Sequence, residues 1–166
     1  MNSRLFLYAL KGELMYLYPA MDTLKKACSF CIYQERTQQE VREKLKSWRV
    51  PPVEAEEVIA WLITENFINE SRYARQFAGG KFRVKKWGRR KIIYELKAKG
   101  ITARCIDDAL NEINEEEYVR TLHELAQKKT AGLHPEKDPF VIRKKVTAYL
   151  LLKGYEPEYV REVLEA

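Results

Sequence analysis

The chain has 166 residues, of which 46% are hydrophobic and 33% charged, a composition typical of a folded soluble protein. Its formal net charge is +6, and its three cysteines are an odd number that argues against a disulfide framework. No apolar run approaches the roughly 20 residues that span a bilayer, and Lys11 and Glu13 interrupt the apolar opening segment. We therefore expect no membrane partner, no signal peptide and a cytoplasmic location.

Few glycines and prolines interrupt long stretches of Glu, Lys, Arg, Leu and Ala, so the predicted fold class is all-α. Residues 1–21 form an N-terminal extension. Within it, residues 5–18 contain two β-prone runs around a glycine turn, which fit either a short hairpin or a short helix.

The first helix is predicted to start at Pro19 to Asp22 and to end at about Gln34. Its apolar face is Leu24, Ala27, Cys28, Cys31 and Ile32. Cys28 and Cys31 form a C-x-x-C, but a structural zinc site needs about four ligands, and neither a second cysteine pair nor closely spaced histidines follow. We interpret both cysteines as packing residues and predict no metal site.

Thr37 and Glu40 have the spacing of a capping box, which predicts the start of a second helix that buries Val41 and Leu45. Two prolines, at positions 51 and 52, end that helix and open a third. The apolar face of the third helix is Val58, Ile59 and Leu62.

The next stretch holds the strongest charge feature of the chain. From Arg72 to Lys91 there are nine basic residues and no acidic one, so the rest of the chain sums to 6 − 9 = −3. Helical periodicity places Tyr73, Phe77, Gly80 and Val84 on one stripe and Arg72, Arg75, Arg83 and Lys86 on another. In the following helix Ile92, Ile93 and Leu96 are predicted to be buried, whereas Arg90, Tyr94 and Lys97 form an outer stripe. These seven outer residues are the predicted partner- or DNA-binding site, because an ordinary solvated helix mixes charge signs.

The helical pattern repeats along the chain. A shift of 51 residues places the apolar positions of residues 41–62 on those of 92–113, and a further shift of 54 reaches residues 146–164. The turns at Gly100 and Gly154 also correspond, but the first copy has Arg49 there, which leaves open whether that turn differs. A loop insertion is predicted at residues 130–137, followed by Asp138 and Pro139 as the start of a helix.

We therefore predict three tandem three-helix repeats, at residues 22–68, 69–113 and 114–166. Because a unit of three short helices exposes apolar surface, neighbouring repeats should stack into an elongated, curved body. We expect a monomer.

Three segments resemble the RecX family, the bacterial regulators of the RecA recombinase. They are residues 35–45 (ERTQQEVREKL), 67–77 (FINESRYARQF) and 88–101 (GRRKIIYELKAKGI). The resemblance runs from about Asp22 to the C-terminus and departs from the family pattern at Thr37, Arg49 and Asn69. It implies a protein that binds the RecA filament on DNA, lies along its groove, and blocks filament growth or promotes disassembly. It also implies weak DNA binding and roles in DNA repair, recombination and the SOS response.

Catalysis requires convergent groups with tuned pKa values, and the sequence contains no such set. No phosphate-binding loop is present, and Gly79 and Gly80 lie within a predicted helix, where we expect them to allow close helix packing or a kink. We predict no catalytic residues and no cofactor. The alternative to a RecA regulator is a helical nucleic-acid-binding protein that contacts phosphates without RecA.

Overall fold

The computed structural model describes residues 17–133 and 138–165, with side chains from residue 21 onward. In these ranges all regular secondary structure is α-helical, as predicted. The helices are α1 (Leu17–Tyr33), α2 (Gln38–Ser47), α3 (Pro52–Thr64), α4 (Glu70–Lys85), α5 (Arg89–Ala98), α6 (Ala103–Leu110), α7 (Glu115–Ala131), α8 (Pro139–Lys153) and α9 (Pro157–Glu165). They form three consecutive groups of three, repeats 1 to 3. The predicted hairpin lies outside the described residues, except that α1 includes its last two residues.

Repeat 1 packs α1, α2 and α3 against one another. Its buried core is Ala27, Cys31, Val41, Leu45, Ala55, Val58, Ile59, Leu62 and Ile68. The predicted capping box is confirmed, because Thr37 Oγ1 accepts from the Glu40 amide and Glu40 Oε2 accepts from the Thr37 amide, both at 3.1 Å. A capped N-terminus fixes where α2 begins, and Pro52 does the same for α3 as its first residue.

Two details of α1 differ from the prediction. The helix begins at Leu17, before the start signal at Pro19 to Asp22, since a proline is tolerated within the first turn of a helix. The side chain of Ile32 is 74% exposed, although it was predicted to be buried. Ala27 and Cys31, four residues apart, define the buried face, and Ile32 lies about 100° around the helix from Cys31.

The turn after α2 keeps the geometry of its counterparts in the other repeats. Arg49 has a φ of 62°, close to the 75° of Gly100, and Gly154 has a φ of 94°. The hydrogen bonds also correspond, because the next residue donates to the carbonyl five positions earlier in each copy: Val50 to Leu45, Ile101 to Leu96 and Tyr155 to Leu150, at 3.1 to 3.2 Å. Arg49 therefore leaves the geometry of this turn unchanged.

Repeats 2 and 3 share one core. It is built from α4 to α9, and its largest fully buried side chains are Phe82, Ile92, Leu96, Ile106, Tyr118, Leu122, Val146, Leu150 and Tyr155. These positions confirm the predicted register between the repeats. Leu110, which was expected in the core, is half-buried at its edge.

The buried face of α4 is rotated from the predicted one. Val84 is 75% exposed and Gly80 is half-buried, whereas Tyr73, Ala74, Ala78 and Phe82 are buried. The rotation is roughly one residue step of 100°. It arises because α4 packs mainly along α6, and that contact surface is not encoded in the periodicity of α4.

The N-terminus of α5 is capped by repeat 3. Gly88 offers no side chain, and the first amides of the helix donate instead to Lys153 O (2.9 Å, from Gly88) and Gly154 O (3.0 Å, from Arg90). The amide of Arg89 donates to Tyr118 Oη at 3.0 Å. The C-terminus of α8 thus meets the N-terminus of α5, an arrangement in which the helix dipoles attract and their unpaired groups satisfy one another.

A polar cluster on the same junction surrounds Tyr118. Its hydroxyl donates to Glu156 Oε2 at 2.6 Å, and the guanidinium of Arg89 lies 4.1 Å from its ring centroid. Arg89 also pairs with Glu115 at 2.6 Å, and Tyr159 donates to the same carboxylate. The pKa of Glu115 is lowered by Arg89 and then by Tyr159, whereas burial and then Glu156 raise the pKa of Tyr118. These bonds join repeat 3 to α5.

The chain divides into two compact units, residues 1–69 and 70–166. The first contains repeat 1 and the second contains repeats 2 and 3. Among the described helices, none has the length and apolar character to cross a membrane.

Candidate functional site

Three of the predicted site residues line one concavity of repeat 2, which we call the arginine pocket. It lies between α4, α6 and the first turn of α7, and its volume is about 370 Å³. Its lining is Arg72, Arg75, Gln76, Gly79, Phe82, Arg83, Ala109, Glu112, Ile113 and Glu117. Arg72, Arg75, Gly79 and Arg83 follow one another along α4 at intervals of three or four residues, so a single helix face presents three guanidinium groups.

Arg75 and Arg83 differ in how they are held. Arg75 Nη1 lies 3.5 Å from Glu112 Oε1, a long contact between two side chains that are each about half exposed. Such an exposed pair contributes little to stability and leaves both groups able to exchange partners. Arg83 is exposed, and its side chain makes no hydrogen bond or ion pair with any other described residue. Its charge is therefore available to a partner.

The guanidinium of Arg83 lies across Gly79, one turn earlier in α4. A Cβ at position 79 would lie 2.7 Å from Arg83 Nη2 and 3.0 Å from Nη1. At Gly80, apart from its chain neighbours and the nearby backbone of α4, a Cβ would meet no atom of the described residues within 4 Å. The two adjacent glycines thus have different surroundings, and of the two expected roles, close helix packing does not apply to Gly80.

Lys86 does not belong to this face. It was predicted to extend the stripe of Arg72, Arg75 and Arg83, but α4 ends at Lys85 and Lys86 has a φ of 53°. The amide of Trp87 donates to Lys81 O at 3.2 Å, so Lys86 is in the left-handed position that closes the helix. Its half-buried side chain therefore does not continue the helical face of Arg72, Arg75 and Arg83.

The remaining predicted residues form a second surface, the α5 basic face, defined as Arg90, Tyr94 and Lys97. All three are exposed, and the exposed fraction of Tyr94 is 71%. Their side chains make no hydrogen bond, ion pair or ring contact with another described residue. Burial of Ile92 and Leu96 on the opposite side of α5 orients this face outward. No α5 residue lines the arginine pocket.

Sequence reasoning missed a cation and aromatic cluster in the connection from α4 to α5. The half-buried ring of Trp87 has Lys81 Nζ at 5.0 Å and Lys91 Nζ at 4.7 Å from its centroid. Lys81 also lies 5.0 Å from the ring of Phe77. These contacts hold two ammonium groups on the surface of repeat 2 by cation–π attraction. The sequence shows a tryptophan between two basic pairs, but the cations that contact its ring, Lys81 and Lys91, lie outside those pairs.

The C-x-x-C pair lies on α1, where Cys31 is buried and Cys28 is half-buried. Burial, followed by the neighbouring Cys28, raises the pKa of the Cys31 thiol to about 11, and burial also raises the pKa of Cys28. A raised pKa disfavours the thiolate form that binds metals. In the described ranges no three His, Cys, Asp or Glu side chains are grouped to hold a metal ion.

Family models of three protein domains match consecutive parts of the chain. Residues 24–62 match the first three-helix domain of RecX, residues 69–110 the second and residues 115–164 the third. Each match covers helices of one of the three repeats.

Curated relatives of this chain are named as RecX proteins. "Regulatory protein RecX" of Clostridium acetobutylicum is 35% identical over 153 residues, which are 90% of this chain and 69% of the relative. The Clostridium beijerinckii protein of that name is 34% identical over 78% of this chain and 61% of its own length. The Lactobacillus gasseri protein is 33% identical over 86% of this chain and 52% of its own length. The chain thus spans about half to two thirds of these relatives.

Solved structures agree in fold. RecX from Lactobacillus salivarius superposes with a TM-score of 0.78, covering 88% of this chain and 94% of its own, at 25% sequence identity. A second structure, of a regulatory protein RecX, has a TM-score of 0.79 at 24% identity. The three matched domains, the identity to curated relatives and the shared three-helix repeats together show that the chain belongs to the RecX family.

Proposed function

We propose that this protein binds the RecA filament on DNA and inhibits RecA activity, by blocking filament growth or promoting disassembly. The proposal rests on membership of a family of regulatory proteins and on one structural observation. That observation is the α5 basic face, which holds Arg90, Tyr94 and Lys97 exposed without partners in the described part of the chain. Regulation of recombination, DNA repair and the SOS response would follow from this activity.

The charge distribution supports a polyanionic or acidic partner. Nine basic residues and no acidic residue lie between Arg72 and Lys91, and a surface of one sign accelerates the approach of an oppositely charged partner. A RecA filament on DNA combines phosphates with a protein surface, and an acidic region of either component would suit this basic surface. Tyr94 adds a ring that can stack or pack at the contact.

The test is RecA strand exchange and ATP hydrolysis on single-stranded DNA, with and without this protein. The informative variant is Arg90→Glu with Lys97→Glu, because both side chains are exposed and their reversal leaves the core intact. We expect inhibition by the wild type, and a loss of potency of about tenfold or more in the double variant, since each reversal replaces attraction with repulsion.

A matched control is Lys25→Glu with Arg161→Glu, two exposed cations on α1 and α9 that make the same change in net charge. The control should inhibit as the wild type does. Equal potency of the wild type and the α5 variant would exclude the α5 basic face as the binding surface.

The rival function is nucleic-acid binding without RecA, and the long acid-free basic window favours it as well. In that case a plot of the logarithm of the association constant for bare single-stranded DNA against the logarithm of the salt concentration should have a slope of roughly −0.7 for each phosphate contact. We expect inhibition of RecA at protein concentrations where bare DNA is hardly bound. A wild type that binds DNA but leaves RecA unaffected would establish the rival.

A further inference from the structure

Gly79 is an unexpected residue at its position. It lies within α4, where alanine would favour the helix by about 1 kcal/mol. Its φ lies outside the left-handed region, so backbone conformation does not demand glycine here. The nearest atoms to a Cβ at this site all belong to the guanidinium of Arg83. Glycine at position 79 therefore makes room for that guanidinium.

The guanidinium of Arg83 thus lies over the backbone of α4 at the arginine pocket. Arg75 and Arg72 line the same pocket, about one and two helical turns before Gly79. At this position α4 has a residue of low helix propensity, and an unpaired charge lies beside it at a concave surface. Such a conflict between local preference and structure is of the kind found at functional sites.

The lining of the pocket indicates which anion it fits. Phe82, Ala109 and Ile113 contribute apolar surface, which suits the methylene groups of an acidic side chain. Glu112 and Glu117 are also part of the lining and repel any anion, so they oppose the several successive phosphates of a nucleic acid backbone more than a single carboxylate beside Arg83. A volume of about 370 Å³ accommodates one or two side chains.

We propose that the arginine pocket binds an acidic side chain from a protein segment, with the guanidinium of Arg83 pairing with its carboxylate. An arginine and a carboxylate form two parallel charge-assisted hydrogen bonds, and no other described residue pairs with the Arg83 guanidinium beside Gly79. This inference deepens the proposed function, because it assigns the pocket to the protein component of the filament and not to its DNA.

The pair Gly79→Ala and Gly80→Ala tests the site in the full-length chain. A methyl group at position 79 displaces the Arg83 guanidinium, which can move because it is the end of a flexible side chain. A methyl group at position 80 meets nothing within 4 Å. Both variants gain helix propensity, so both should melt at or above the wild-type temperature. They differ only in what happens at the pocket.

The direct probe is a short blocked peptide of alternating glutamate and alanine, titrated into isotope-labelled protein and followed by NMR. We expect saturable shifts at Gly79, Arg83 and Glu112, about tenfold weaker binding in Gly79→Ala, and unchanged binding in Gly80→Ala. Tenfold is the loss expected for one charge-assisted hydrogen bond, because a displaced guanidinium, like glutamine at position 83, can keep the other of the two bonds. The same peptide with glutamine in place of glutamate should not bind. Arg83→Gln should reproduce the effect of Gly79→Ala.

Two results would contradict the binding of an acidic side chain in the arginine pocket. One is equal affinity of the wild type, Gly79→Ala and Arg83→Gln for the acidic peptide. The other is a single-stranded oligothymidylate that shifts the same three residues more strongly than the peptide does, which would make the pocket a phosphate site.

A parallel assay of RecA inhibition separates this inference from the proposed function. Reduced inhibition by Gly79→Ala, with Gly80→Ala as potent as the wild type, supports both. Full inhibition by Gly79→Ala overturns the assignment of the pocket to the filament and leaves the proposed function standing. If the wild type does not inhibit RecA, the proposed function fails, and the peptide titration alone decides whether the pocket binds acidic side chains.

Discussion

Arg49 shows how far a single residue can depart from its repeat without changing the backbone. It occupies a left-handed turn position that is glycine in the other two repeats. A side chain in this conformation costs about 1 kcal/mol, because Cβ approaches the neighbouring carbonyl oxygen. Repeat 1 keeps the turn because the hydrogen bonds from Arg49 to Lys46 O and from Val50 to Leu45 O are formed as in the other repeats.

The cost at Arg49 can be measured by removing it. Arg49→Gly should raise the free energy of unfolding of repeat 1 by about 1 kcal/mol, as determined by chemical denaturation. Arg49→Ala is the control, since it removes the exposed charge but keeps Cβ, and it should change stability by less than about 0.5 kcal/mol. A gain in the alanine variant equal to that of glycine would assign the effect to charge and not to the backbone.

At the scale of elements, the junction of α8 with α5 depends on two glycines in close contact. A Cβ on Gly88 would lie 2.3 Å from the backbone carbonyl of Gly154, and a Cβ on Gly154 would lie 2.3 Å from Lys91 Cβ. Only residues without side chains allow the backbone hydrogen bonds from Gly88 to Lys153 and from Arg90 to Gly154. Both glycines are visible in the sequence, but only the tertiary structure brings them into contact.

Gly154→Ala and Gly100→Ala separate backbone strain from this close contact. Both glycines have positive φ, but a Cβ at Gly100 meets no atom within 4 Å. Gly100→Ala should therefore cost only about 1 kcal/mol of strain, whereas Gly154→Ala should cost a further 1 to 3 kcal/mol through overpacking. Equal losses in urea-induced unfolding would show that repeat 3 does not need the close approach.

At the scale of the whole molecule, the described residues form two separate hydrophobic cores. One belongs to repeat 1, and the other is common to repeats 2 and 3. The second includes aromatic contacts across the junction, with ring centroids 5.0 Å apart for Tyr118 and Tyr155 and 5.7 Å apart for Phe82 and Tyr118. Residues 70–166 thus contain everything that their core requires.

We expect a fragment of residues 70–166 to fold on its own. Its circular dichroism should be helical and its thermal unfolding a single cooperative transition, since about 100 residues with a continuous core suffice for a stable domain. Disruption of the core by Leu96→Ala, at a fully buried position, should lower the free energy of unfolding by about 2 to 5 kcal/mol in the same fragment. A fragment without a cooperative transition would show that repeat 1 is needed for folding.

The sequence by itself determined the helical class, the number of repeats and most of the core. Apolar spacing identified positions such as Leu45, Leu96 and Leu150, and local signals such as the Thr37 capping box identified helix starts. These features depend on interactions within a few residues, which periodicity records directly. The predicted elongation of the body and the ends assigned to each repeat stay predictions.

Only the tertiary structure decided which face of α4 is buried and which residues lie beside its charged side chains. Packing on α6 exposed Val84, and the end of α4 at Lys85 separated Lys86 from Arg72, Arg75 and Arg83. It also joined those arginines with Glu112 and Glu117 in one pocket. Such groupings depend on contacts between residues far apart in sequence, and helical periodicity contains no information about them.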